Sequence, residues 1–187
     1  MRIVVGITGG SGAIYALALL QLLGQLDVER HLVVSEMGMR VVEHECGVKE
    51  SELRRMGEVW HDNQNLGATI ASGSFRYEAM AVVPCSMRTL AAIATGNSDS
   101  LLTRAADVCL KERRRLVLLT REMPVSSIHL ENMLRLSREG VVIMPASPGF
   151  YNHPKDLSDI VGHVAGKMLD QLGVEHESYD RWKGAFS

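Results

Sequence analysis

The stretch that decides the fold reads Ile3-Val4-Val5-Gly6-Ile7, then Thr8-Gly9-Gly10-Ser11-Gly12, then a helix-like segment from Ala13 to Leu23. The opening apolar run is rich in β-branched residues and is typical of a buried strand. A buried strand that leads through a glycine-rich turn into a helix is a common anion-binding arrangement, because bare N–H groups and the positive end of the helix dipole converge there. The pattern predicts a phosphate or mononucleotide site, with a purely structural tight turn as the alternative.

The spacing of the glycines does not meet two familiar motifs. Tyr15 stands where the dinucleotide fingerprint has Gly or Ala after Gly10-x-Gly12, and no P-loop lysine follows the turn. The residues Gly9 to Ala13 come near a nucleophile elbow, but they follow the first strand and no oxyanion loop precedes them. Serine-hydrolase chemistry is therefore disfavoured.

Composition limits the class of protein. The chain has 187 residues, 46% of them hydrophobic and 22% charged, which fits one globular domain. A net charge of -2 argues against a nucleic-acid binder, and no apolar run is long enough to predict a membrane span. The chain enters a strand at once, so we expect no signal peptide. Its three scattered cysteines predict neither disulfides nor a zinc site and favour the cytoplasm.

Five short apolar runs alternate with helical patterns along the chain. This alternation predicts an α/β fold, a single doubly wound, Rossmann-like and flavodoxin-like parallel sheet with helices on both faces. We place one domain over residues 1–175 and a polar tail over 176–187. Ligands of such sheets bind beyond the carboxyl ends of the strands. Those ends carry glycine, hydroxyl or charge, at Thr8 to Gly12, Ser35, Cys85-Ser86, Arg121-Glu122 and Ala146-Ser147.

Several side chains near those ends could carry chemistry. Arg121 directly follows a buried strand, where an unpaired charge would be costly, and Glu122 could either hold that arginine or act as an acid or base. Cys85 is best interpreted as a small buried hydrophobic residue, since nothing nearby in sequence would lower its pKa. The seven histidines have no metal-ligand spacing, so no metal is expected. The cluster His44-Glu45-Cys46 predicts a helix end beside the cleft.

The chain resembles the UbiX-type flavin prenyltransferases, once described as phenolic-acid decarboxylase subunits. The resemblance runs nearly end to end and rests on motifs that are specific as a set: Gly9-Gly10-Ser11-Gly12-Ala13, His31-Leu32-Val33-Val34-Ser35, Ser72-Gly73-Ser74-Phe75, Pro84-Cys85-Ser86-Met87-Arg88-Thr89-Leu90, Leu102-Thr103-Arg104-Ala105-Ala106-Asp107-Val108, Leu110-Lys111-Glu112-Arg113, Arg121-Glu122-Met123-Pro124 and Phe150-Tyr151. The related flavin-binding cysteine decarboxylases carry a Pro-Ala-Ser-Ala-Asn-Thr stretch and a catalytic histidine, and neither is found here.

The resemblance implies a reaction and its participants. Dimethylallyl monophosphate would alkylate reduced FMN at N5 and C6 without a metal, and the prenylated FMN would serve a UbiD-type decarboxylase. It also implies a homo-oligomer, a dodecamer, whose sites combine residues from several chains. Two alternatives remain: an FMN-dependent decarboxylase of cysteinyl or aromatic acids, and a non-catalytic flavin carrier subunit. A diphosphate donor also remains open.

The resemblance further assigns site residues by position. The catalytic candidates are Glu122, Glu45, Ser11 and Lys111, with Glu122 relaying a proton to the phosphate and Glu45 assisting proton handling. The predicted FMN site comprises Gly9, Gly10, Ser11, Ser35, Ser86, Met87, Arg88, Thr89 and Arg121. The predicted prenyl-phosphate site comprises Arg104, Lys111, Arg121, Glu122, Tyr151 and Lys167. The chain departs from the family pattern at Gly10, where Ala is usual, and at Ala146-Ser147-Pro148-Gly149, which is less rich in proline before Tyr151.

Overall fold

The sheet has six parallel strands in the order β3-β2-β1-β4-β5-β6. It is seen in a computed structural model that describes residues 1–181 and residue 184, so part of the predicted tail 176–187 lies outside the described residues. The strands are β1 (Arg2–Ile7), β2 (Glu29–Val34), β3 (Val59–His61), β4 (Ala79–Cys85), β5 (Arg115–Thr120) and β6 (Val142–Pro145). The predicted α/β fold is confirmed.

Seven helices and one short 3-10 helix connect the strands within the described ranges. The helices are α1 (Ala13–Leu23), α2 (Glu36–Cys46), α3 (Glu50–Arg54), α4 (Met87–Thr95), α5 (Leu101–Lys111), α6 (Ser127–Arg138) and α7 (Leu157–Leu172), and the 3-10 helix spans Thr69–Ala71. Side chains satisfy the first amides of most of these helices. Ser100 caps α5, where Asp99 or Ser100 suited the sequence pattern, and Ser126 caps α6, where Ser126 or Ser127 did.

The strand β3 was not among the five predicted strands. It is only three residues long, Val59-Trp60-His61, and it pairs with β2 at one edge of the sheet. Only two of its residues, Val59 and Trp60, are apolar, and His61 and Asp62 follow them, so the apolar run is too short to be recognised from sequence as a strand. An edge strand needs less apolar surface than a central one, because one of its sides has no neighbouring strand.

Two separate hydrophobic cores cover the two faces of the sheet. On one face α1 and α7 pack together, with Leu19, Leu23 and Met168 fully buried. On the other face α4, α5 and α6 cover Met80, Leu118 and their neighbours. This is the doubly wound arrangement, in which near-continuous apolar strands are buried on both sides.

The position of β1 and β4 determines where a ligand can bind. The strands run outward from β1 through β2 to β3 on one side, and from β4 through β5 to β6 on the other. The connections therefore turn in opposite directions at β1 and β4, and this topological switch point opens a crevice at the carboxyl ends of the strands. The glycine-rich turn after β1 and the Ser86 segment after β4 lie side by side at that crevice.

Candidate active site

Thr8 joins the ends of β1 and β4 at the floor of the crevice. Its hydroxyl donates to the Pro84 carbonyl at 2.7 Å and accepts from the Ser86 N–H at 2.8 Å. Thr8 is 2% exposed; its bond to the Pro84 carbonyl is buried and its bond from the Ser86 N–H is partly buried. The sequence placed Thr8 at the strand end but contained no signal for this bridge. It holds the two sides of the switch point in register.

The helices that directly follow β1, β2 and β4 begin at the crevice. Ser35 caps α2 by accepting from the Gly38 N–H at 3.0 Å, and Ser86 caps α4 by accepting from the Thr89 N–H at 3.3 Å. Helix α1 begins after Gly12, which has a φ of 109° and supplies no side-chain cap. The positive ends of three helix dipoles therefore point into the crevice, as anion binding requires.

Glu45 fills the amino terminus of α1. Its carboxylate accepts from the N–H groups of Gly12 at 2.8 Å and Ala13 at 2.9 Å. Partial burial would raise the pKa of Glu45, but hydrogen bonds from the Ser11 hydroxyl and these two amides, with the charge of Arg121, lower it overall. Glu45 is therefore ionised at neutral pH. The end of α2 does lie beside the cleft, as predicted, but the amino terminus of α1 already holds an anion from the chain itself.

Close packing shapes the glycine-rich turn. A Cβ atom on Gly9 would lie 2.8 Å from Cβ of Met37 on α2, which is closer than real contacts allow. A Cβ on Gly10 would only make ordinary contacts, the nearest 3.5 Å away at Pro84. Alanine, which is usual in the family at the position of Gly10, would therefore fit there. At the position of Gly9, where the turn packs against α2, only glycine fits.

Arg121 also contacts the turn. Its Nε donates to the Ser11 carbonyl at 3.1 Å, so Ser11, Glu45 and Arg121 form one cluster in a single chain. Glu122 is exposed, and its one hydrogen bond among the described residues is accepted from the Met123 N–H at 3.3 Å. The sequence left two roles open for Glu122, to hold Arg121 or to act as an acid or base. The structure does not show Glu122 holding Arg121. The carboxylate faces solvent beside the cluster.

The first turn of α4 supplies the other predicted FMN contacts. Met87 and Thr89 are half-buried there, and Arg88 is exposed. The Thr89 hydroxyl accepts from the Ser86 hydroxyl at 3.1 Å, which fixes both side chains at the helix start. Cys85, just before them, is fully buried, and burial raises the pKa of its thiol. It is the small buried residue that the sequence predicted.

Arg104 and Lys111 lie elsewhere on the chain. Lys111 is the last residue of α5 and pairs with Glu112 shortly before β5 begins at Arg115, so it lies at the edge where the parallel strands start. Arg104 on the same helix pairs with Asp107 at 2.6 Å and donates to the Ala71 carbonyl at 3.3 Å. Within one chain Lys111 is therefore on the opposite edge of the sheet from the glycine-rich turn.

Tyr151 and Lys167 line a third region. They face a pocket of about 590 Å³ between the loop after β6, helix α7 and the C-terminal segment. The other lining residues are Gly149, Asn152, His163, Tyr179, Asp180 and Arg181. A single chain thus divides the predicted prenyl-phosphate residues among three places. No pattern in the sequence indicated that the C-terminal segment contributes to this pocket.

No cluster of metal ligands occurs among the described residues, and no helix in the described part of the chain is long and apolar enough to cross a bilayer. The charged groups that meet at the crevice are instead Glu45 and Arg121. This pattern of helix dipoles, a guanidinium and small side chains at a switch point suits a phosphorylated, planar ligand.

Comparison with known proteins identifies the class first. Residues 1–169 match the family model described as Flavoprotein, so the chain is a flavoprotein family member. A probable UbiX-like flavin prenyltransferase of Streptomyces sp. (strain D7) is 50% identical, and the alignment covers 98% of this chain and 92% of that protein. The chain therefore belongs to the UbiX-like flavin prenyltransferases, and the recognition from sequence is confirmed.

Two solved structures are similar throughout. One is a dodecameric FMN-dependent UbiX-like decarboxylase from Escherichia coli O157:H7, with 50% identity, a TM-score of 0.96, and 98% of this chain and 100% of that chain covered. The other is AnUbiX (PadA1) in complex with FMN and dimethylallyl pyrophosphate, with 44% identity, a TM-score of 0.96 and 98% of each chain covered. These relatives are therefore described in two ways, one as a decarboxylase and another as a flavin prenyltransferase.

Proposed function

We propose that this protein transfers a dimethylallyl group from dimethylallyl monophosphate to N5 and C6 of reduced FMN, and that the product serves a UbiD-type decarboxylase. The observation that carries the proposal is the cluster of Ser11, Glu45 and Arg121 at the switch point of a flavin prenyltransferase fold. The three scattered cysteines also support a cytoplasmic location.

The residues at the crevice fit FMN. The amino termini of α2 and α4 keep their first N–H groups directed at the crevice, while Glu45 occupies those of α1. An FMN phosphate is therefore best accommodated near Ser35 or Ser86 and not at the glycine-rich turn itself. Reduced FMN supplies the electron-rich ring to which the allylic carbon is joined.

The cations explain how the donor bond can break. Loss of phosphate from an allylic carbon develops positive charge on carbon and negative charge on the leaving oxygen. Arg121, Lys111 and Lys167 would stabilise the leaving phosphate in the transition state, and the proposal requires no metal for this. Glu122 is exposed beside Arg121 and would exchange a proton with the phosphate. Ionised Glu45 would keep Ser11 and the turn in position and accept a proton later.

These cations lie far apart within one chain, which supports a site formed by residues from more than one copy. Lys111 lies on the opposite edge of the sheet from Arg121, so one chain cannot bring both to one phosphate. We therefore propose that a homo-oligomer, a dodecamer like that of the Escherichia coli relative, completes each site with Lys111 and Arg104 from a neighbouring copy. Arg121 and Glu122 would come from the chain that binds FMN.

Mass spectrometry of the flavin tests the reaction. The purified protein is incubated without oxygen with reduced FMN and either dimethylallyl monophosphate or the diphosphate, and the flavin is then extracted. We expect its mass to increase by one dimethylallyl unit, more rapidly with the monophosphate. Unchanged flavin with both donors contradicts the proposal. Release of CO₂ from cysteinyl or aromatic acids without a partner protein would favour a decarboxylase, and activity unaffected by Glu122→Gln would favour a flavin carrier.

Mixing two inactive variants tests the assembled site. If Lys111 and Arg121 at one site come from different copies, oligomers reassembled from Lys111→Ala and Arg121→Ala chains contain some sites with both native residues. Activity should then partly return on mixing. The matched control mixes Glu45→Gln with Arg121→Ala, because those two residues share one chain and no site regains both. Equal activity in the two mixtures contradicts the shared site.

A further inference from the structure

The described part of the C-terminal segment, Val174 to Arg181, folds back along α7. Gly173 ends the helix with a φ of 76° and reverses the chain direction. Farther back in the helix, a Cβ atom on Gly166 would lie 2.4 Å from Cδ1 of Tyr179 and 2.7 Å from Oγ of Ser178. Gly166 therefore leaves a shallow groove in α7 that the Tyr179 ring occupies.

Asp170 fastens this segment to the helix. Its carboxylate accepts hydrogen bonds from four side chains: Lys167 Nζ at 3.2 Å, His176 Nε2 at 3.1 Å, the Tyr179 hydroxyl at 2.5 Å and Arg181 Nη2 at 2.8 Å. Only 18% of the Asp170 side chain is exposed, whereas the Lys167 and Arg181 side chains that reach it are 43% and 55% exposed. Burial acts to raise the pKa of Asp170, but the bonds from Arg181, Tyr179, Lys167 and His176 lower it well below its usual range.

The hydrogen bonds of His176 determine its tautomer. The Ser178 N–H donates to Nδ1 of His176 at 3.1 Å, so Nδ1 carries no proton. Nε2 then carries the proton and donates it to Asp170. His176 is almost fully buried, with 3% of its side chain exposed. It forms a fixed bridge between the segment and the carboxylate.

The other end of the segment reaches the loop of Tyr151. The Asn152 side chain donates to the Asp180 carbonyl at 3.1 Å, and Asn152 is the direct neighbour of Tyr151. The segment thus connects Lys167 on α7 with the Tyr151 loop across the pocket of about 590 Å³. Arg181 lines the same pocket. Lys167 and Arg181 place two cations at the pocket, and the carboxylates of Asp170 and Asp180 balance their charge, so an anion in the pocket would depend on how the two cations are oriented.

We propose that Asp170 is a positioning residue for the donor phosphate and that Arg181, held by it, is an additional cation of that phosphate site. The proposal rests on the proposed function, in which Lys167 and Tyr151 bind the phosphate of the donor. Asp170 acts through the groups it holds: it orients the Lys167 ammonium and the Arg181 guanidinium and keeps the segment attached to the Tyr151 loop. A carboxylate that restrains cations in advance reduces the entropy they lose when the ligand binds.

Two variants release the segment by different means. Asp170→Asn removes the charge that attracts Lys167 and Arg181, whereas Gly166→Ala pushes Tyr179 out of its groove and leaves every charge in place. Gly162→Ala is the matched control, since a Cβ at Gly162 in the same helix meets nothing within 4 Å. Asp170→Glu tests rescue by a carboxylate. Circular dichroism and the oligomeric state establish that each variant is folded.

The measurements are kcat and KM for the donor at saturating reduced FMN, and the Kd of dimethylallyl monophosphate for FMN-loaded protein by calorimetry. We expect Asp170→Asn and Gly166→Ala to raise both KM and Kd by about tenfold, the size expected when a charged hydrogen bond is lost. The affinity for FMN should stay close to the native value, and kcat should fall by less than the donor affinity. Asp170→Glu should recover part of the donor affinity, and Gly162→Ala should match the native protein.

The outcomes separate this inference from the proposed function. Native protein that binds the donor without transferring its dimethylallyl group overturns the proposed function, and the weaker Kd of the two variants would still support the inference. Donor affinity in Asp170→Asn and Gly166→Ala equal to that in Gly162→Ala overturns the inference while transfer activity stands. An equal loss of donor affinity, FMN affinity and kcat also overturns it, because that pattern indicates a general structural defect.

Discussion

Replacing Glu45 with glutamine tests whether the chain's own carboxylate organises the glycine-rich turn. Glu45 accepts from the amides of Gly12 and Ala13 and contacts the Ser11 hydroxyl, so it satisfies the donors at the start of α1. Glutamine has nearly the same shape and keeps one oxygen acceptor, but it carries no charge. The substitution therefore isolates the electrostatic part of the interaction.

The two backbone hydrogen bonds determine the expected size of the effect. A hydrogen bond to a charged group contributes about 1.5–3 kcal/mol and a neutral one about 0.5–1.5 kcal/mol, so the difference is about 1 kcal/mol for each bond. A negative charge at a helix amino terminus adds about 0.3–1 kcal/mol. Glu45 is exposed, and solvent screening reduces both contributions. We expect Glu45→Gln to lower the free energy of unfolding by about 1 kcal/mol at neutral pH.

Urea unfolding at several pH values provides the assay. The pKa of Glu45 is lower in the folded protein than its ordinary value of 4.5, so its stabilisation is complete above pH 4.5 and is lost as the pH falls through the folded pKa. The stability difference between native protein and Glu45→Gln should therefore shrink in acid. Glu43→Gln is the control, because Glu43 is exposed on the same helix and its side chain makes no hydrogen bond among the described residues.

Two results would refute this reasoning. If Glu45→Gln and Glu43→Gln have the same unfolding midpoint at neutral pH, the contact between Glu45 and α1 contributes nothing to stability. If the loss of stability in Glu45→Gln persists unchanged below pH 4, this loss does not come from the ionised carboxylate. Addition of salt should also reduce the difference in stability between the native protein and Glu45→Gln, because salt screens surface electrostatic interactions.

Three further expectations concern stability and reactivity. Gly38→Ala should lower the free energy of unfolding by about 1–3 kcal/mol, because the new Cβ would lie 2.5 Å from the Ile7 carbonyl oxygen. Urea unfolding measures this loss. Glu58→Gln should cost about 1 kcal/mol or less near pH 6, since the Glu58 carboxylate is partly exposed. Its hydrogen bond from Arg30 lowers the pKa of Glu58 to about 2, so titrating both proteins from pH 4.5 toward pH 2 should make their stabilities converge. Cys85, fully buried, should react with a thiol reagent only after unfolding, as mass spectrometry can show.

Much of the fold could be predicted from the sequence because its central strands are buried on both faces. Each such strand appears as an apolar run, and the helices between them show regular apolar spacing, as the last helix, α7, illustrates. The strand β3 could not be recognised, because a three-residue edge strand containing Trp60 and His61 lacks that signal. Nor does periodicity reveal the order of the strands, since it shows only which residues are buried.

The site was predictable to the extent that its residues follow strand ends. Ser35 and Ser86 were placed correctly at the crevice by that rule. The contact of Glu45 with Gly12 could not be foreseen, because it joins residues 33 positions apart through the packing of α2 on the turn. The role of Asp170 was also hidden: a single aspartate near a helix end has no sequence signal for the four groups that converge on it.

The bridge made by Thr8 has a consequence for sequence drift. Valine is nearly the same size, yet it would leave the Ser86 N–H without its partner and the Pro84 carbonyl with only the backbone N–H of residue 8, at 3.3 Å. Each unsatisfied buried group costs about 1–3 kcal/mol, which is a large part of the stability of a domain. A saturation library selected for folded protein should therefore retain threonine and serine at position 8, even when no flavin chemistry is demanded. Selection for folding alone would preserve this corner of the crevice.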